Sequence, residues 1–367
     1  MRKVLLGDIC KPKQWKTISA SMLTEDGYPV YGANGVIGKY SEYNHEKETL
    51  LITCRGATCG NLNICKPYSY VNGNAMALDD LDESINVRYL YYVLKERGFK
   101  DVISGSAQPQ IIRSALEKIS ILIGTEKEQK ELVEKFSIIE KVIRDRKFEL
   151  QYVDELIKAR FIEMFGDPNE NPKHWKEDEL GNYLEVMGGY AFKSDGFTDK
   201  GIPVLRIGNI NSGKFLPVNM VFWPEDFALI RYKVFPGDLV MSLTGTVGKD
   251  DYGNVCILGT DYNEYYLNQR NAKLSLREML NKYYFSELLK FPQIKKRLTG
   301  ISRGVRQANI SNKDILTLRV PIPPMALQER FSAFIIQADK SKAVIQKALD
   351  KTQLLFDSLM QEYFGER

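Results

Sequence analysis

Two short glycine-rich stretches are the first candidates for chemistry, because loops of this kind can cradle phosphate groups. They read Gly35-Val-Ile-Gly-Lys39 and Gly245-Thr-Val-Gly-Lys249. A P-loop needs a glycine, four further residues and then Gly-Lys-Ser or Gly-Lys-Thr. The required first glycines are replaced by Ala33 and Leu243, and neither stretch continues with Ser or Thr. ATP binding by these loops is therefore not expected.

Metal-ligating and nucleophilic residues are sparse and unevenly spaced. The five cysteines and two histidines are Cys10, Cys54, Cys59, Cys65, Cys256, His45 and His174. Their spacings do not match the Cys-x2-Cys pairs of zinc sites. We therefore expect no metal, reduced and mostly buried thiols, and histidines in solvated loops. No residue set has the spacing of a catalytic site, so no catalytic residue is assigned and binding or scaffolding is favoured over enzymatic activity.

Basic, amide and hydroxyl side chains in glycine-rich turns offer a different chemistry, the recognition of DNA. Arginine and lysine suit guanine edges and phosphates, whereas asparagine and glutamine suit adenine. The candidate DNA-binding residues are Tyr31, Asn34, Lys39, Arg55 and Thr58 in the first half of the chain, and Arg206, Asn209, Lys214, Thr244, Thr246, Lys249, Arg270, Arg303, Arg306 and Gln307 in the second. The simpler alternative is that the same residue types populate any solvated turn.

The strongest of these candidates lie on one loop, Ser302-Arg-Gly-Val-Arg-Gln307, which carries two arginines. An upstream stretch, Ser104-Gly-Ser-Ala-Gln108, keeps a glycine and the glutamine but lacks both arginines. We interpret the shared glutamine as structural. Arg303 and Arg306 are then specific to the second half of the chain.

This pairing is part of a tandem repeat that runs through the chain. Gln307 less Gln108 gives a shift of 199, and this register persists to the ends of both halves. The beginnings of the halves match at a shift of 174, which is Gly201 less Gly27. The second half has therefore gained about 25 residues in its middle, 199 less 174. Ends of fixed length around a variable middle indicate one scaffold that carries two different recognition surfaces.

Each half consists of a mixed α/β part followed by a long helix. The α/β parts alternate short apolar runs with glycine and asparagine turns, which is typical of strands, and helical patches interrupt them. The predicted boundaries are residues 1–124 for the first domain, 125–166 for the first helix, 167–174 for a linker, 175–323 for the second domain and 324–367 for the second helix. The predicted fold class is therefore α/β (α+β), with two duplicated domains.

The two long helices carry apolar residues at alternating three- and four-residue steps, the heptad pattern of a coiled coil. The predicted seam consists of Leu132, Phe136, Ile139, Ile143, Leu150, Val153, Ile157, Phe331, Ile335, Ile345, Leu349, Phe356 and Leu359. A helix of about 39 residues is about 58 Å long and cannot bury such a stripe alone. We expect the helices to pair antiparallel about a pseudo-twofold axis, with one domain at each end. The alternatives are that each helix packs on its own domain or pairs with another chain.

The composition is that of an ordinary globular protein, with 44% hydrophobic and 27% charged residues. The net charge of +4 is mild for a nucleic-acid-binding protein, but phosphate contacts need only one basic face. No stretch approaches the roughly 18 apolar residues of a membrane span. We therefore expect no membrane association and a cytoplasmic location.

These features together resemble the specificity subunit of Type I restriction–modification systems. The resemblance rests on the duplicated order and on the series from Gly304 and Gln307 to Pro321-Ile-Pro-Pro324, which a heptad helix follows. The stretch Gly201-Ile-Pro-Val-Leu-Arg-Ile-Gly-Asn-Ile210 resembles the start of that family's target recognition domains. In the first half, Ile123-Gly-Thr-Glu126 lacks the proline stop of the corresponding junction.

The resemblance implies that each target recognition domain reads one half of a split, asymmetric site in double-stranded DNA, while the helices set the gap between the halves. It implies no cofactor on this chain. Methyltransferase subunits, expected to be two, would use S-adenosylmethionine to methylate adenine N6, and restriction subunits would use ATP and Mg. The chain would then be a non-catalytic specificity subunit. Two rivals stay open, a self-contained nuclease or methyltransferase and a coiled-coil interaction scaffold without a nucleic-acid role.

Overall fold

The computed structural model describes residues 2–105, 108–300 and 307–365, and the chain divides into two compact units. The first unit consists of Met1–Phe148 together with Ile345–Arg367, and the second of Glu149–Val344. Each unit therefore contains one α/β domain, part of the long helix that follows it and part of the long helix from the other half of the chain.

The first half of the chain forms nine strands and four helices within the described residues. They are β1 (Arg2–Leu5), α1 (Leu6–Ile9), β2 (Lys11–Gln14), β3 (Tyr28–Gly32), β4 (Gly35–Tyr40), β5 (Thr49–Thr53), β6 (Leu62–Cys65), β7 (Tyr70–Val71), β8 (Ala75–Asp79), α2 (Val87–Arg97), α3 (Arg113–Leu116), β9 (Ser120–Ile123) and α4 (Glu126–Phe165). A short 3-10 turn covers Ala20–Met22.

The second half repeats this order with additional short elements. They are β10 (Glu177–Glu179), β11 (Leu184–Gly188), β12 (Ile202–Leu205), β13 (Val221–Trp223), β14 (Lys233–Val234), β15 (Leu239–Ser242), β16 (Thr244–Thr246), β17 (Val255–Ile257), β18 (Tyr265–Leu267), β19 (Asn271–Leu276), α5 (Lys282–Leu288), α6 (Pro292–Thr299), β20 (Gln307–Asn309), α7 (Asn312–Leu316), β21 (Arg319–Pro321) and α8 (Met325–Phe364). Further 3-10 turns cover Leu180–Asn182, Ser194–Gly196, Ile207–Asn209 and Phe227–Tyr232.

The sheets of the two domains have matching strand orders. The first domain contains a four-stranded antiparallel sheet, β2-β8-β5-β6, and the second contains β11-β19-β15-β17. A smaller sheet, β4-β3-β7, corresponds to β13-β12-β18-β14, and in both the pairing of β3 with β7 or β12 with β18 is parallel. The central strands β5 and β15 are almost wholly buried, which explains why they read as continuous apolar runs rather than alternating ones.

The join between the first domain and its helix depends on one buried amide, the side chain of Gln129, which is 2% exposed. Its oxygen accepts the backbone N–H of Asn86 at 2.8 Å. Its nitrogen donates to the carbonyls of Ser84 at 3.0 Å and Gly124 at 3.1 Å. Because Asn86 also caps α2, this amide fixes the start of α4 against the start of α2.

The second domain repeats that arrangement with Gln328, which is fully buried. Its oxygen accepts the N–H of Asn281, the cap of α5, at 2.8 Å. Its nitrogen donates to the carbonyls of Pro323 at 2.7 Å and Met279 at 3.3 Å. The repeat detected in the sequence therefore has a physical basis, since each copy needs this glutamine to satisfy the same buried backbone groups.

The first junction lacks the prolines of the second, and a capping box takes their place. The hydroxyl of Thr125 accepts the N–H of Glu128 at 3.3 Å, and the Glu128 carboxylate accepts the N–H of Thr125 at 2.8 Å. The hydrogen bond from the Thr125 amide holds the pKa of the Glu128 carboxyl below its usual value. Two different sequences thus start α4 and α8.

In the first unit the beginning of α4 packs on the end of α8. Phe136 contacts Phe356 with ring centroids 5.4 Å apart and Phe364 at 5.5 Å. Phe364 also lies edge-on to Tyr89 of α2 at 5.5 Å. The last turn of α8 is therefore part of the core beneath the first domain.

In the second unit the roles are exchanged, and the end of α4 packs on the beginning of α8. Phe161 and Phe165 contact Phe331 at 5.5 and 5.3 Å, and Phe161 stacks on Tyr284 of α5 at 5.4 Å. An ion pair joins Asp154 to Lys342 beside this core. Within each unit the two helices therefore run antiparallel. The predicted fold class of duplicated mixed α/β domains with a pair of long antiparallel helices is confirmed.

The predicted seam residues all face inward to some degree. Leu132, Phe136, Ile143, Ile157, Phe331, Ile335, Leu349 and Phe356 are buried, and Ile139, Leu150, Val153, Ile345 and Leu359 are half-buried. Each helix also contributes to a domain core through its last turn, so the helices do more than bury one another.

Candidate nucleic-acid interface

The second domain carries a two-stranded antiparallel ribbon made of β16 and β20. Thr244 pairs with Asn309, and Thr246 pairs with Gln307. Thr246 is exposed and Thr244 half-buried. A two-stranded ribbon is one of the few elements narrow enough to enter the major groove of DNA. The side chains carried at its tip are therefore the natural candidates for contacts to base edges.

The turn after β16 presents Lys249 to solvent. The N–H of Lys249 donates to the carbonyl of Thr246 at 3.0 Å, and the carboxylate of Asp251 accepts the N–H of Thr246 at 2.9 Å. Gly248 closes the turn with a φ of 81°, a conformation that side chains with a Cβ rarely adopt. The turn is thus built by Asp251 and Gly248, which leaves the lysine side chain free of any structural hydrogen bond among the described residues.

Arg270 lies at the base of this ribbon. The N–H of Leu243, the residue before β16, donates to the carbonyl of Arg270 at 2.8 Å. The N–H of Ile310, the residue after β20, donates to the carbonyl of Leu243 at 2.9 Å. The structure therefore brings Thr244, Thr246, Lys249 and Arg270 together in and around one ribbon of the second domain.

The first domain carries a shorter version of the same ribbon. Arg55 forms an antiparallel bridge with Gln110, which corresponds to Asn309 because 309 less 110 is 199. The N–H of Gly56 donates to the carbonyl of Pro109 at 3.0 Å. Arg55 is exposed, and half-buried Thr58 occupies the turn that follows. An arginine therefore stands in the first domain where the second has Thr244.

Asn34 lies next to this first ribbon. It belongs to the turn between β3 and β4, and the hydroxyl of Thr53 donates a hydrogen bond to the carbonyl of the preceding residue, Ala33. Thr53 is the last residue of β5 and precedes the ribbon by two positions. Asn34 is exposed, and its side-chain amide has no hydrogen-bond partner within the described part of the chain.

Tyr31 was predicted to bind DNA, and the structure contradicts that prediction. Its side chain is only 6% exposed and packs with Leu51 and Val71 in the core of the first domain. Its hydroxyl accepts the N–H of Lys66 at 3.3 Å. Successive side chains of a strand point to opposite faces, and the ring of Tyr31 lies on the inner face of β3, where DNA cannot reach it.

Asn209 is the second wrong prediction. It is 3% exposed, and its amide nitrogen donates to the carbonyls of Leu216 and Val218, both at 3.0 Å. Its oxygen accepts the N–H of Arg206 at 3.0 Å. All of its polar groups are used inside the loop, so it organises the loop rather than contacting a ligand.

Three further predicted residues lie apart from the ribbons. The guanidinium of half-buried Arg206 donates to the carbonyl of Asn219 at 2.6 Å and braces the same loop. Lys39 is near the far end of β4, with its ammonium 3.7 Å from the carboxylate of Asp26. Lys214 is exposed on the loop after Asn209. Of these three, Lys214 alone has a side chain with no hydrogen-bond or ion-pair partner among the described residues.

The last three predicted residues are Arg303, Arg306 and Gln307. Arg303 and Arg306 lie outside the described residues. Gln307 is within β20 by its backbone, and its side chain is not described. Their prediction as DNA-binding residues stays a prediction, although the backbone of Gln307 pairs with Thr246 and so belongs to the ribbon.

His45 was expected in a solvated loop and is instead 7% exposed. Its Nε2 lies 2.9 Å from the carboxylate of Asp79 and its Nδ1 lies 2.7 Å from the amide oxygen of Asn44. The indole of Trp15 donates to the other Asp79 oxygen at 3.0 Å. The group ties the end of β8 to the residue that follows β2 and to the segment before β5. His174, in contrast, is exposed as expected.

The thiols and acidic groups give no sign of a metal centre. Within residues 2–105, 108–300 and 307–365, no group of three His, Cys, Asp or Glu side chains could hold a metal ion. Burial raises the pKa of the Cys10 and Cys256 thiols to about 12, and Cys59 is half-buried. No described helix is both long enough and apolar enough to cross a membrane.

Comparison with known proteins agrees with this architecture. The family model described as the Type I restriction modification DNA specificity domain matches residues 1–151 and again residues 172–352. The chain belongs to this family. Each match covers one α/β domain, with its ribbon, and the larger part of the long helix that follows it.

Individual relatives cover most of the chain. It is 23% identical over 353 residues to the Type I restriction enzyme MjaVIII specificity subunit of Methanocaldococcus jannaschii, which spans 88% of this chain and 82% of that protein. It superposes on the crystal structure of a Type I restriction–modification system S subunit from M. genitalium with a TM-score of 0.63, at 17% identity, over 100% of this chain and 96% of that one.

A second solved structure comes from work on complex assembly and conformational transition of the Type I restriction–modification system. It matches with a TM-score of 0.54 at 15% identity, over 99% of this chain and 97% of that one. At these identities the superpositions establish the fold alone, and they agree with the duplicated α/β architecture.

Proposed function

We propose that this chain is the DNA-recognition subunit of a Type I restriction–modification complex and reads a two-part, asymmetric site. The observation that carries the proposal is the ribbon that occurs in both domains, with Arg55 paired to Gln110 in the first and Thr244 paired to Asn309 at the equivalent place in the second. Two equal surfaces would read two equal half-sites. Two different surfaces on one scaffold suit a site whose halves differ.

Each ribbon supplies a distinct set of groups for this task. In the first domain Arg55 suits a bidentate contact to guanine, and Asn34 suits adenine. In the second domain Thr246 suits either guanine or adenine, and Lys249 and Arg270 suit phosphates or guanine. These side chains are exposed and are not needed for the fold, so they can differ between the domains without cost to stability.

The helices would set the distance between the two half-sites. Each has 40 residues, which corresponds to about 60 Å at about 1.5 Å per residue. That length is commensurate with more than one turn of duplex DNA, about 34 Å. A change in helix length would therefore change the number of unread base pairs between the halves.

The chemistry would reside on partner subunits. Methyltransferase subunits, two in the proposed complex, would bind S-adenosylmethionine and methylate adenine N6 after taking the base out of the stack. Restriction subunits would use ATP and Mg. The chain itself would bind no cofactor and would work in the cytoplasm, where the DNA is. Its membership of a family named for DNA specificity supports this division of labour.

The direct test is to co-express the chain with its methyltransferase partner and map methylated adenines in the exposed DNA. The proposal predicts one split sequence with a fixed gap, methylated only when this chain is present. Methylation by the purified chain alone would favour the enzyme alternative. Absence of both methylation and salt-sensitive DNA binding would favour a scaffold without a nucleic-acid role.

A further inference from the structure

A cleft of about 430 Å³ in the second unit has an unusual concentration of lysines. Its walls are the last part of α4, the first part of α8, the segments around α5 and α6, and two loops of the second domain. The lysines that line it are Lys158, Lys214, Lys290, Lys295 and Lys342. The ribbon residues Thr244, Thr246 and Lys249 do not line the cleft, although Asp250 and Asn254 of the loop after β16 form part of its wall.

Three acidic residues also line the cleft, and each is already paired with one of the lysines. The pairs are Asp154 with Lys342, Asp250 with Lys295, and Glu287 with Lys290. Lys295 is 8% exposed, and the amide oxygen of Asn254 accepts a second hydrogen bond from it at 2.6 Å. Within each pair the two charges neutralise one another, and the paired side chains form part of the wall of the cleft.

Two lysines are left without an acidic partner among the described residues. Lys158 projects from α4 and Lys214 from the loop that follows Asn209, and both are exposed. The side chain of Asn254 holds that loop, because its nitrogen donates to the carbonyl of Asn211 at 2.6 Å. Two uncompensated positive charges therefore face one cleft from two independently fixed elements.

The corresponding cleft of the first unit has different chemistry. Asn61 corresponds to Asn254, since the N–H of Thr53 donates to its carbonyl at 2.8 Å just as the N–H of Ser242 donates to that of Asn254 at 2.9 Å. The first cleft, of about 400 Å³, is lined by three asparagines and a single lysine, Lys95. The ammonium of that lysine lies 4.9 Å from the ring centroid of Phe356. The scaffold therefore does not require a cluster of lysines at this position.

We propose that the lysine cleft of the second unit binds the phosphate backbone of DNA through Lys158 and Lys214, apart from the ribbon that reads bases. This inference rests on the proposed function. Lysine ammonium groups are point charges that suit phosphate oxygens and carry no base specificity. The cleft would thus anchor the DNA at a fixed place on the second unit, and it would contribute affinity without contributing to the recognised sequence.

The test uses the complex of the chain with its methyltransferase partner and a mixed-sequence duplex that lacks the mapped site. The dissociation constant is measured as a function of NaCl concentration for the wild type and for a Lys158→Ala, Lys214→Ala double variant. Loss of two phosphate contacts should reduce the salt slope by about 2 and weaken binding at about 0.1 M salt by roughly 10- to 60-fold. The methylated sequence should stay the same.

Two matched variants make the result specific. Lys158→Arg with Lys214→Arg keeps both charges and should retain the wild-type salt slope. Asn61→Ala with Asn63→Ala removes only uncharged side chains from the corresponding cleft of the first unit and should also leave the slope unchanged. Thermal unfolding of each variant shows whether it is folded.

The outcomes separate this inference from the proposed function. If the wild type binds DNA with a steep salt dependence and the double lysine variant has the same slope, the cleft does not hold phosphates. If the variant instead fails to assemble with the methyltransferase, the cleft binds an acidic protein segment and the inference is overturned. If the wild-type complex binds no duplex at all, it is the proposed function that fails.

Discussion

The two domains keep the same buried hydrogen bonds and differ in their exposed side chains. Gln129 and Gln328 accept and donate the same set of backbone hydrogen bonds at the two domain-to-helix junctions. Arg55 and Thr244, in contrast, occupy the same place on the two ribbons, and the first is a long cation whereas the second is a short neutral hydroxyl. The buried amides therefore specify the shared scaffold. The exposed side chains of the ribbon and of the cleft beside it are the ones that can differ between the two halves.

The largest expected effect comes from the aromatic residue that ends each helix. Phe165 is 2% exposed and contacts Tyr284 and Phe331, whereas Phe364 is half-buried. Phe165→Ala should lower the free energy of unfolding by about 3–5 kcal/mol, because it leaves a cavity in a closed core. Phe364→Ala should cost less. Urea unfolding followed by circular dichroism measures both, and equal losses would show that the two cores are equally closed.

The junction glutamines should come next, with equal effects in the two halves. Gln129→Ala and Gln328→Ala each leave a buried backbone N–H and carbonyl groups without partners. Each should lower the free energy of unfolding by about 1–3 kcal/mol. Gln346→Ala, which removes an exposed side chain bonded to Asp350, serves as the control and should stay within about 0.5 kcal/mol of the wild type. A much larger loss of unfolding free energy for one glutamine than for the other would contradict the idea that the two junctions are physically equivalent.

The ribbons should affect DNA recognition and not stability. Arg55→Ala should weaken binding to the mapped site by about 1–3 kcal/mol and relax the sequence of one half-site. Lys249→Ala should affect binding through the other half alone. Methylation mapping together with binding titrations checks both variants, and unfolding curves like that of the wild type exclude a folding defect. Relaxation of both half-sites by either variant would contradict a division of labour between the domains.

The smallest expected effect is on the rate at which the thiols are alkylated, which should differ between buried and half-buried cysteines. Burial raises the pKa of Cys10 and Cys256 from 9.0 to about 12, so their thiolate fraction at about pH 8 is about a thousandfold smaller than that of a free thiol. Cys59 is half-buried, and burial raises its pKa as well. Alkylation read by mass spectrometry should modify Cys59 first and the other two only on unfolding. Early modification of Cys10 would mean that its domain opens locally.

Much of the fold follows from patterns that are local in sequence. The heptad steps in the two long helices and the constant shift between Gln129 and Gln328 both reflect contacts that the chain must repeat. Runs such as Thr49–Thr53 are apolar at successive positions because both faces of that strand are buried. Periodicity and duplication therefore carried the prediction of the architecture.

The predictions of single site residues were weaker, because residue type does not reveal the direction of a side chain. Tyr31 lies only a few positions from exposed Asn34, yet its ring points into the core. Asn209 looked like a reader of adenine and instead satisfies carbonyls within its own loop. His45 is buried and lies within hydrogen-bond distance of Asp79, an aspartate 34 positions away, and no local sequence pattern shows that contact. Each of these errors arose from tertiary contacts.

The central claim is that each domain reads one half of a split DNA site. It is tested most directly by replacing residues 175–323 with the second domain of another family member and mapping methylated adenines before and after the exchange. If each domain reads one half, then one half of the recognised sequence changes, while the other half and the gap stay the same. A change in both halves, or in neither, would contradict it.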